Sequence, residues 1–364
     1  MSLKPTMRNI LLPAGWCFGS VAFIRRFLYR KNILKSHEPP IPTVTIGNIA
    51  VGGTGKTPHS QYVIDFLKDE FKIAFLSRGY GRKSKGFLLT CVLPENEISA
   101  QTFGDEPFMI FLRNKDIPVA VDTDRYDGIV HLLDKKPDTE VVILDDAFQH
   151  LKLKSGLSII ITEYERPYFR DYPMPAGRLR EFRCAADYSD MVIVSKTPDG
   201  TVPDVELWRK QLKLSENQEL FFTKICYQKP EAVTDAAAEA DLKSGDEVVV
   251  FSGIANPEPL KKHLGSHYSI KREFNFPDHH VFSDKELKMI SDYCVNQAKG
   301  CVLMTTEKDW ARLQTENNRN IVSLLPIFVV KIGIEFLDDE QKNRFNNILS
   351  DYVRRKNKKN RSDN

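Results

Sequence analysis

The sequence predicts an α/β protein, a mostly parallel sheet covered by helices, with a helix before it and a second, smaller α/β domain after it. Three observations predict this. Short apolar strands alternate with helical stretches, one strand runs through a glycine-rich turn into a helix, and both chain ends are basic while the middle is acidic. The 364 residues, 41% hydrophobic and 28% charged, are enough for two ordinary domains with separate cores. Six scattered cysteines form no C-x-x-C pair, which excludes a dense disulfide scaffold or a Cys-rich zinc module and favours a reducing compartment.

The N-terminal segment carries the first functional signal. Residues 1–38 hold seven Lys/Arg against Glu38, and residues 352–364 hold six against Asp363. Of the net charge of +3, the two ends contribute +6 and +5, leaving −8 for the rest. Such an acidic middle argues against nucleic-acid binding. Between Arg8 and Arg25 lie sixteen uncharged residues, NILLPAGWCFGSVAFI, followed by Arg25, Arg26, Arg30 and Lys31 interleaved with Phe23, Ile24, Phe27, Leu28 and Tyr29. A helix of that length spans roughly 24 Å, short of a hydrocarbon core of roughly 30 Å, and Pro13, Gly15 and Gly19 weaken it. Basic residues alternating with large apolar ones describe a helix lying in a membrane interface. The rival readings are a buried helix docked on the core and a true span. No cleavage site precedes the charges, so a secretory signal peptide is disfavoured.

Pro39-Pro40-Ile41-Pro42 ends this segment, and the strands follow. Apolar runs place them at 43–46, 72–76, 119–121, 141–144, 157–161 and 191–194. Between them, residues 58–70 read as a helix with Tyr62, Val63, Phe66 and Leu67 on one stripe. Near-continuous apolar strands separated by helices indicate a parallel sheet covered on both faces. A second group reads at 220–227, 247–251, 301–304 and 327–330, with the Ala-rich stretch 228–245 as a linker. Ser283-x-x-Glu286 and Thr306-x-x-Asp309 are capping boxes that open helices. The expected units are a membrane-associating segment 1–38, a phosphate-loop domain 39–227, a smaller α/β domain 228–350 and a basic tail 351–364, frayed or lipid-facing.

The strongest chemical motif is Ala50-Val51-Gly52-Gly53-Thr54-Gly55-Lys56-Thr57, which matches G-x-x-x-x-G-K-[ST] except for Ala50 in place of the first glycine. Its glycines let backbone N–H groups converge on phosphate oxygens at a helix N-terminus, as in the P-loop NTPases. Lys56 would reach the β/γ-phosphates of ATP and Thr57 would offer a hydroxyl to Mg²⁺. Asp145 and Asp146 end the apolar strand at 141–144, where a carboxylate faces the phosphate loop and can hold the metal. Asp105, in Gly104-Asp105-Glu106-Pro107, and His279, in Phe276-Pro277-Asp278-His279-His280, suit a paired base for an acceptor hydroxyl; a helix cap and a polar loop are the plain alternatives. Arginines recur in phosphate-sized settings at Arg78, Arg125 and Arg180, where each is either a phosphate clamp or a surface ion pair.

The ordered set VGGTGKTP (51–58), SRGYGR (77–82), GDEP (104–107), LDDAFQH (144–150), PAGRLRE (175–181), FPDHH (276–280) and TTEKDW (305–310) resembles the tetraacyldisaccharide 4′-kinase family of lipid A biosynthesis. One departure is Ala147, where the family usually shows glycine. The resemblance implies transfer of the γ-phosphoryl of ATP to the 4′-hydroxyl of an acylated glucosamine disaccharide 1-phosphate. That work would take place at the cytoplasmic face of a bacterial inner membrane, with no obligate protein partner inferred. By carry-over, Lys56 and Thr57 serve ATP and Mg²⁺, Asp145 and Asp146 form the metal and catalytic acid pair, and Asp105 with His279 forms the base dyad. Arg78, Tyr80, Arg125, His150, Arg180 and Glu181 would line the acceptor or nucleotide site. The competing class is a membrane-associated ATPase switch. Its deviant loops begin Lys-Gly-Gly, and Val51 occupies the lysine position here.

Overall fold

Every residue of the first apolar run is buried, and so is every residue of the run that ends at Asp145. These two runs pair in parallel at the centre of the larger sheet. The computed structural model describes residues 5–296, 298, 300–314 and 318–362. In chain order the strands of the first half are β1 (Thr43–Gly47), β2 (Ile73–Ser77), β3 (Leu88–Leu89), β4 (Val119–Val121), β5 (Val141–Asp145), β6 (Leu157–Glu163) and β7 (Met191–Ser195). Those of the second half are β8 (Glu219–Tyr227), β9 (Glu231–Ala232), β10 (Glu247–Ser252), β11 (Ser269–Asn275), β12 (Val302–Thr306), β13 (Ile327–Val330) and β14 (Ile332–Phe336).

Nine strands form the larger sheet in the order β14-β8-β7-β6-β1-β5-β2-β4-β3, with only the edge strands β14 and β3 antiparallel to their neighbours. Five form the smaller one in the order β11-β10-β12-β13-β9. The ten apolar runs thus mark ten of the fourteen strands to within two residues at each end, as expected for parallel strands buried on both faces, while β3, β9, β11 and β14 carry no such run.

Four expectations change. The strand at 219–227 belongs to the larger sheet beside β7, not with the second group. The supposed linker contributes β9, which pairs antiparallel with β13. After β13 the chain returns to the larger sheet: β14 pairs with β8, burying Ile334 and Phe336, and this covers what would be an open strand edge. The expected tail at 351–364 is helical through Ser362, as the end of a helix Asp339–Ser362. Phe345, Leu349 and Val353, spaced by four, are fully buried on that core, and Arg354 Nε donates to Glu70 at 2.6 Å.

The N-terminal segment is one helix, Pro5–Arg30, and about 39 Å long at 1.5 Å per residue. Gly15 and Gly19 do not weaken it so much as dock it. A Cβ at Gly15 would sit 2.8 Å from the Pro173 carbonyl, and one at Gly19 would sit 2.7 Å from the Phe182 ring. Arg26 completes the same face, since its guanidinium forks onto Glu181 at 2.7 and 2.8 Å and lies over the Phe148 ring. Both residues are buried, so Arg26 faces the core rather than headgroups. The opposite face leaves Ile10, Trp16, Val21, Phe23, Ile24 and Phe27 exposed. By length and composition Thr6–Arg30 is able to cross a membrane, although its docked face is turned to the protein.

Candidate active site

The glycine-rich turn leaves the carboxyl end of β1 and enters the helix Lys56–Leu67, while Asp145 ends β5 next to it. Gly52 and Gly55 take positive φ, 114° and 91°, which an L side chain rarely adopts. The turn is held from several sides. Asn48 Nδ2 donates to Thr54 Oγ1 (2.9 Å), Ser195 Oγ donates to the Thr54 carbonyl (2.7 Å), and Lys196 Nζ donates to the Gly53 carbonyl (2.5 Å). Ala50 and Val51 do different work from that expected. Ala50 bridges Leu179, and the Val51 N–H is spent on the Arg178 carbonyl at 2.8 Å. Those two residues therefore brace the loop against the PAGRLRE segment, and Gly52–Thr57 remain to line the cleft.

His59, one turn into the helix, was not singled out in the sequence. Its Nδ1–H donates to the Gly55 carbonyl at 2.6 Å, so Nε2 accepts from Thr223 Oγ1 at 2.9 Å. The neutral ring satisfies both, and burial pushes its pKa down to about 4. The stability it contributes is complete above pH ~6.5 and is lost as the pH falls from there through the folded-state value. Wild type is expected to lose about 2 kcal/mol more than His59→Gln between pH 7 and pH 5 in urea unfolding. Equal losses in the two proteins would show that the ring does not control this acid sensitivity.

The carboxylate pair divides its partners. Asp146 sits in the left-handed region at φ 45° and receives Arg180 Nη1 at 2.8 and 2.9 Å, with Lys56 Nζ 3.9 Å away. Asp145 is 3% exposed, and its Oδ1 has no hydrogen-bond partner among the described residues. Burial, then the nearby Glu106 and Asp146 carboxylates, pushes its pKa up to about 7. A buried, partnerless carboxylate oxygen with a second acid next to it in the chain is a hard-oxygen donor of the kind Mg²⁺ takes, and Thr57, with its hydroxyl, lines the nucleotide cleft. Among the described residues no group of three or more His, Cys, Asp or Glu can hold a metal alone, and Mg²⁺ at a nucleotide site draws the rest of its ligands from phosphate and water.

Across the cleft stand Asp105 and His279, which the fold brings together from 174 residues apart. His279 Nδ1 lies 3.1 Å from Asp105 Oδ2. Gly104 is the cap of the helix Asp105–Arg113, so the Asp105 carboxylate is free for other work. Arg312 was missed in the sequence. Its Nε and Nη2 both donate to Asp105 Oδ2, at 2.9 and 2.8 Å. Lys308, one turn earlier on the helix Glu307–Leu313, donates to Asp278 Oδ1 and stands 3.4 Å from His279 Nε2. The i, i+4 spacing from Lys308 of TTEKDW was the available signal for Arg312.

The remaining candidates scatter. Arg125 is 3% exposed, donates to the Asp122 and Thr123 carbonyls, and has its pKa lowered to about 10 by burial. Arg78 lies close enough to oppose its charge. His150 Nε2 accepts from the Arg125 backbone N–H at 3.2 Å, and burial lowers its pKa. Tyr80 is 82% exposed. Both oxygens of Glu181 accept from Arg26, which ties this residue to the N-terminal helix.

A cleft of about 590 Å³ opens at the phosphate loop. Gly52–Thr57 and Glu106 line it from the larger sheet, Lys308 and Glu307 from the smaller. Lys56, Lys196, Lys224 and Lys308 all face it, a concentration of positive charge that suits a polyphosphate.

The sequence model of the tetraacyldisaccharide-1-P 4′-kinase family matches residues 7–354. The chain is 38% identical to a tetraacyldisaccharide 4′-kinase of Phocaeicola vulgatus over 352 residues, 95% of each chain. It is 40% identical to the one of Bacteroides fragilis over 354 residues, 94% of this chain and 93% of that one. Among solved structures it resembles LpxK of Aquifex aeolicus in complex with ATP, with a TM-score of 0.71 and 28% identity, over 95% of this chain and 99% of that one.

Proposed function

This chain belongs to the tetraacyldisaccharide 4′-kinase family and is an ATP-dependent kinase of lipid A biosynthesis, and we propose the residues that do its work and the surface it works on. The acceptor is an acylated glucosamine disaccharide 1-phosphate, phosphorylated at its 4′-hydroxyl. The observation that carries the site is the cleft with the phosphate loop on one wall and, among its other lining residues, Glu106, next to Asp105 in the chain, and Lys308, whose Nζ stands 3.4 Å from His279 Nε2.

In this reading the N–H groups of Gly52–Thr57 cradle the phosphates and Lys56 neutralises the β/γ oxygens. Thr57, Asp145 and Asp146 would hold Mg²⁺, which when bound offsets phosphate charge. The Asp105 carboxylate, backed by His279, takes the proton of the 4′-hydroxyl as its oxygen attacks the γ-phosphorus. The bond from that phosphorus to the bridging oxygen then breaks and ADP leaves. Arg180 keeps Asp146 oriented, and Arg78, Tyr80, Arg125 and His150 would serve the acceptor or nucleotide.

The exposed apolar face of Pro5–Arg30 supports a peripheral or monotopic seat on the cytoplasmic face of the inner membrane, where an acylated substrate lies. Incubation with γ-labelled ATP, Mg²⁺ and a detergent-dispersed acylated disaccharide 1-phosphate is expected to place label in the lipid. Label released only as free phosphate would instead favour an ATPase switch.

A further inference from the structure

The helices Asp105–Arg113 and Glu307–Leu313 come from different sheets and join at both ends by an ion pair. Arg312, in the last turn of one, meets Asp105, in the first turn of the other. Arg113 Nη1 and Glu307 lie 3.5 Å apart at the opposite end. Acid at a helix start and base at a helix end are each favoured by the helix dipoles, so the pairing is reinforced locally.

The first of these pairs is placed on the reacting group itself. Arg312 has a side chain only 4% exposed, and its Nη1 donates to the Gly253 carbonyl (2.9 Å) and toward Asp309 Oδ1 (3.3 Å). Anchored on that side, its other edge presents Nε and Nη2 to a single oxygen, Asp105 Oδ2. His279 Nδ1 approaches the same oxygen and stands 3.1 Å from Arg312 Nη2. Two guanidinium donors and the His279 ring nitrogen therefore gather at Oδ2, and among the described residues none reaches Oδ1.

We propose that Arg312 is a positioning residue for phosphoryl transfer: by holding Oδ2 it turns Asp105 Oδ1 toward the acceptor hydroxyl and seats His279 beside it. This rests on the reading of Asp105 and His279 as the acceptor base. The carboxylate is thus oriented by the smaller-sheet unit although it belongs to the larger, and a lysine, with one point of charge, cannot reproduce the fork.

The test is a double-mutant cycle on the full-length enzyme, assayed with labelled ATP and the acylated disaccharide acceptor. Arg312→Gln is expected to lower kcat on the order of 10- to 100-fold with KM for ATP within about threefold, and Arg312→Lys to fall between it and wild type. In an Asp105→Asn background the same change is expected to cost less than about threefold, because the group it positions is gone. An equal loss in both backgrounds, or none in wild type, overturns the proposal. A fully active Asp105→Asn enzyme instead overturns the base reading beneath it. If Arg312→Gln does not fold, Arg312→Lys carries the same cycle.

Discussion

Lys56→Ala is expected to lower the rate of lipid phosphorylation by at least about 10³-fold, roughly 4 kcal/mol of transition-state stabilisation. Phosphoryl transfer asks the protein for positioning and for charge placed where the transferring oxygens develop it, and the lysine supplies a compact ammonium at that point. The fold should not notice its loss. Asp146, the acid nearest Lys56 at 3.9 Å, keeps its closer partner Arg180 at 2.8 Å, and the buried Asp145, whose pKa Lys56 draws down, answers the loss of the lysine by holding its proton instead of standing as a stranded charge. The melting temperature is therefore expected to stay within a few degrees of wild type while kcat collapses. Lys56→Arg is not expected to restore the rate, since a planar fork cannot occupy the slot of a point charge between the loop and Asp146. A Lys56→Ala enzyme that retains a tenth of wild-type kcat would remove the lysine from the transition state.

Much of this arrangement is legible in the sequence because it is local. Parallel strands buried on both faces read as unbroken apolar runs, and the loop that binds phosphate must follow one of them with glycines where φ turns positive. What escapes is whatever depends on where the chain returns. The residues of β14 alternate apolar and polar, and nothing in Ile332–Phe336 tells which sheet edge they will cover. The helix after it is mostly polar and basic, and only Phe345, Leu349 and Val353, at every fourth place, mark its buried stripe. Glu181 is named as a substrate ligand only through the family resemblance of its PAGRLRE segment. Its partner Arg26 is 155 residues away in a segment whose basic residues look lipid-facing. Gly15 and Gly19 read as helix weakeners, and only the contact with Pro173 and Phe182 shows that their missing side chains are the point.

The base pair makes the second large prediction, and it separates two residues that the sequence can only name together. Asp105→Asn and His279→Ala are each expected to lower kcat by on the order of 10²-fold or more. Their effects on stability should differ. Asp105 is the carboxylate opposite Arg312, whose side chain is 4% exposed, so removing its charge leaves a buried guanidinium with only Asp309 Oδ1, at 3.3 Å, for an anion. Breaking one partner of such a pair costs about 3 kcal/mol, because the other charge stays out of water uncompensated. His279 is 58% exposed at the side chain and sits in a loop, so its truncation strands nothing. Asp105→Asn is thus expected to lose rate and melting temperature together, and His279→Ala rate alone. The comparison matters for how the catalytic result is read. A loss in Asp105→Asn by itself mixes chemistry with a loosened contact between the two sheets, whereas a loss in His279→Ala at unchanged melting temperature reports on the base alone. Should His279→Ala keep full kcat while Asp105→Asn loses both, the histidine would be a bystander and Asp105 with Arg312 would form the whole device.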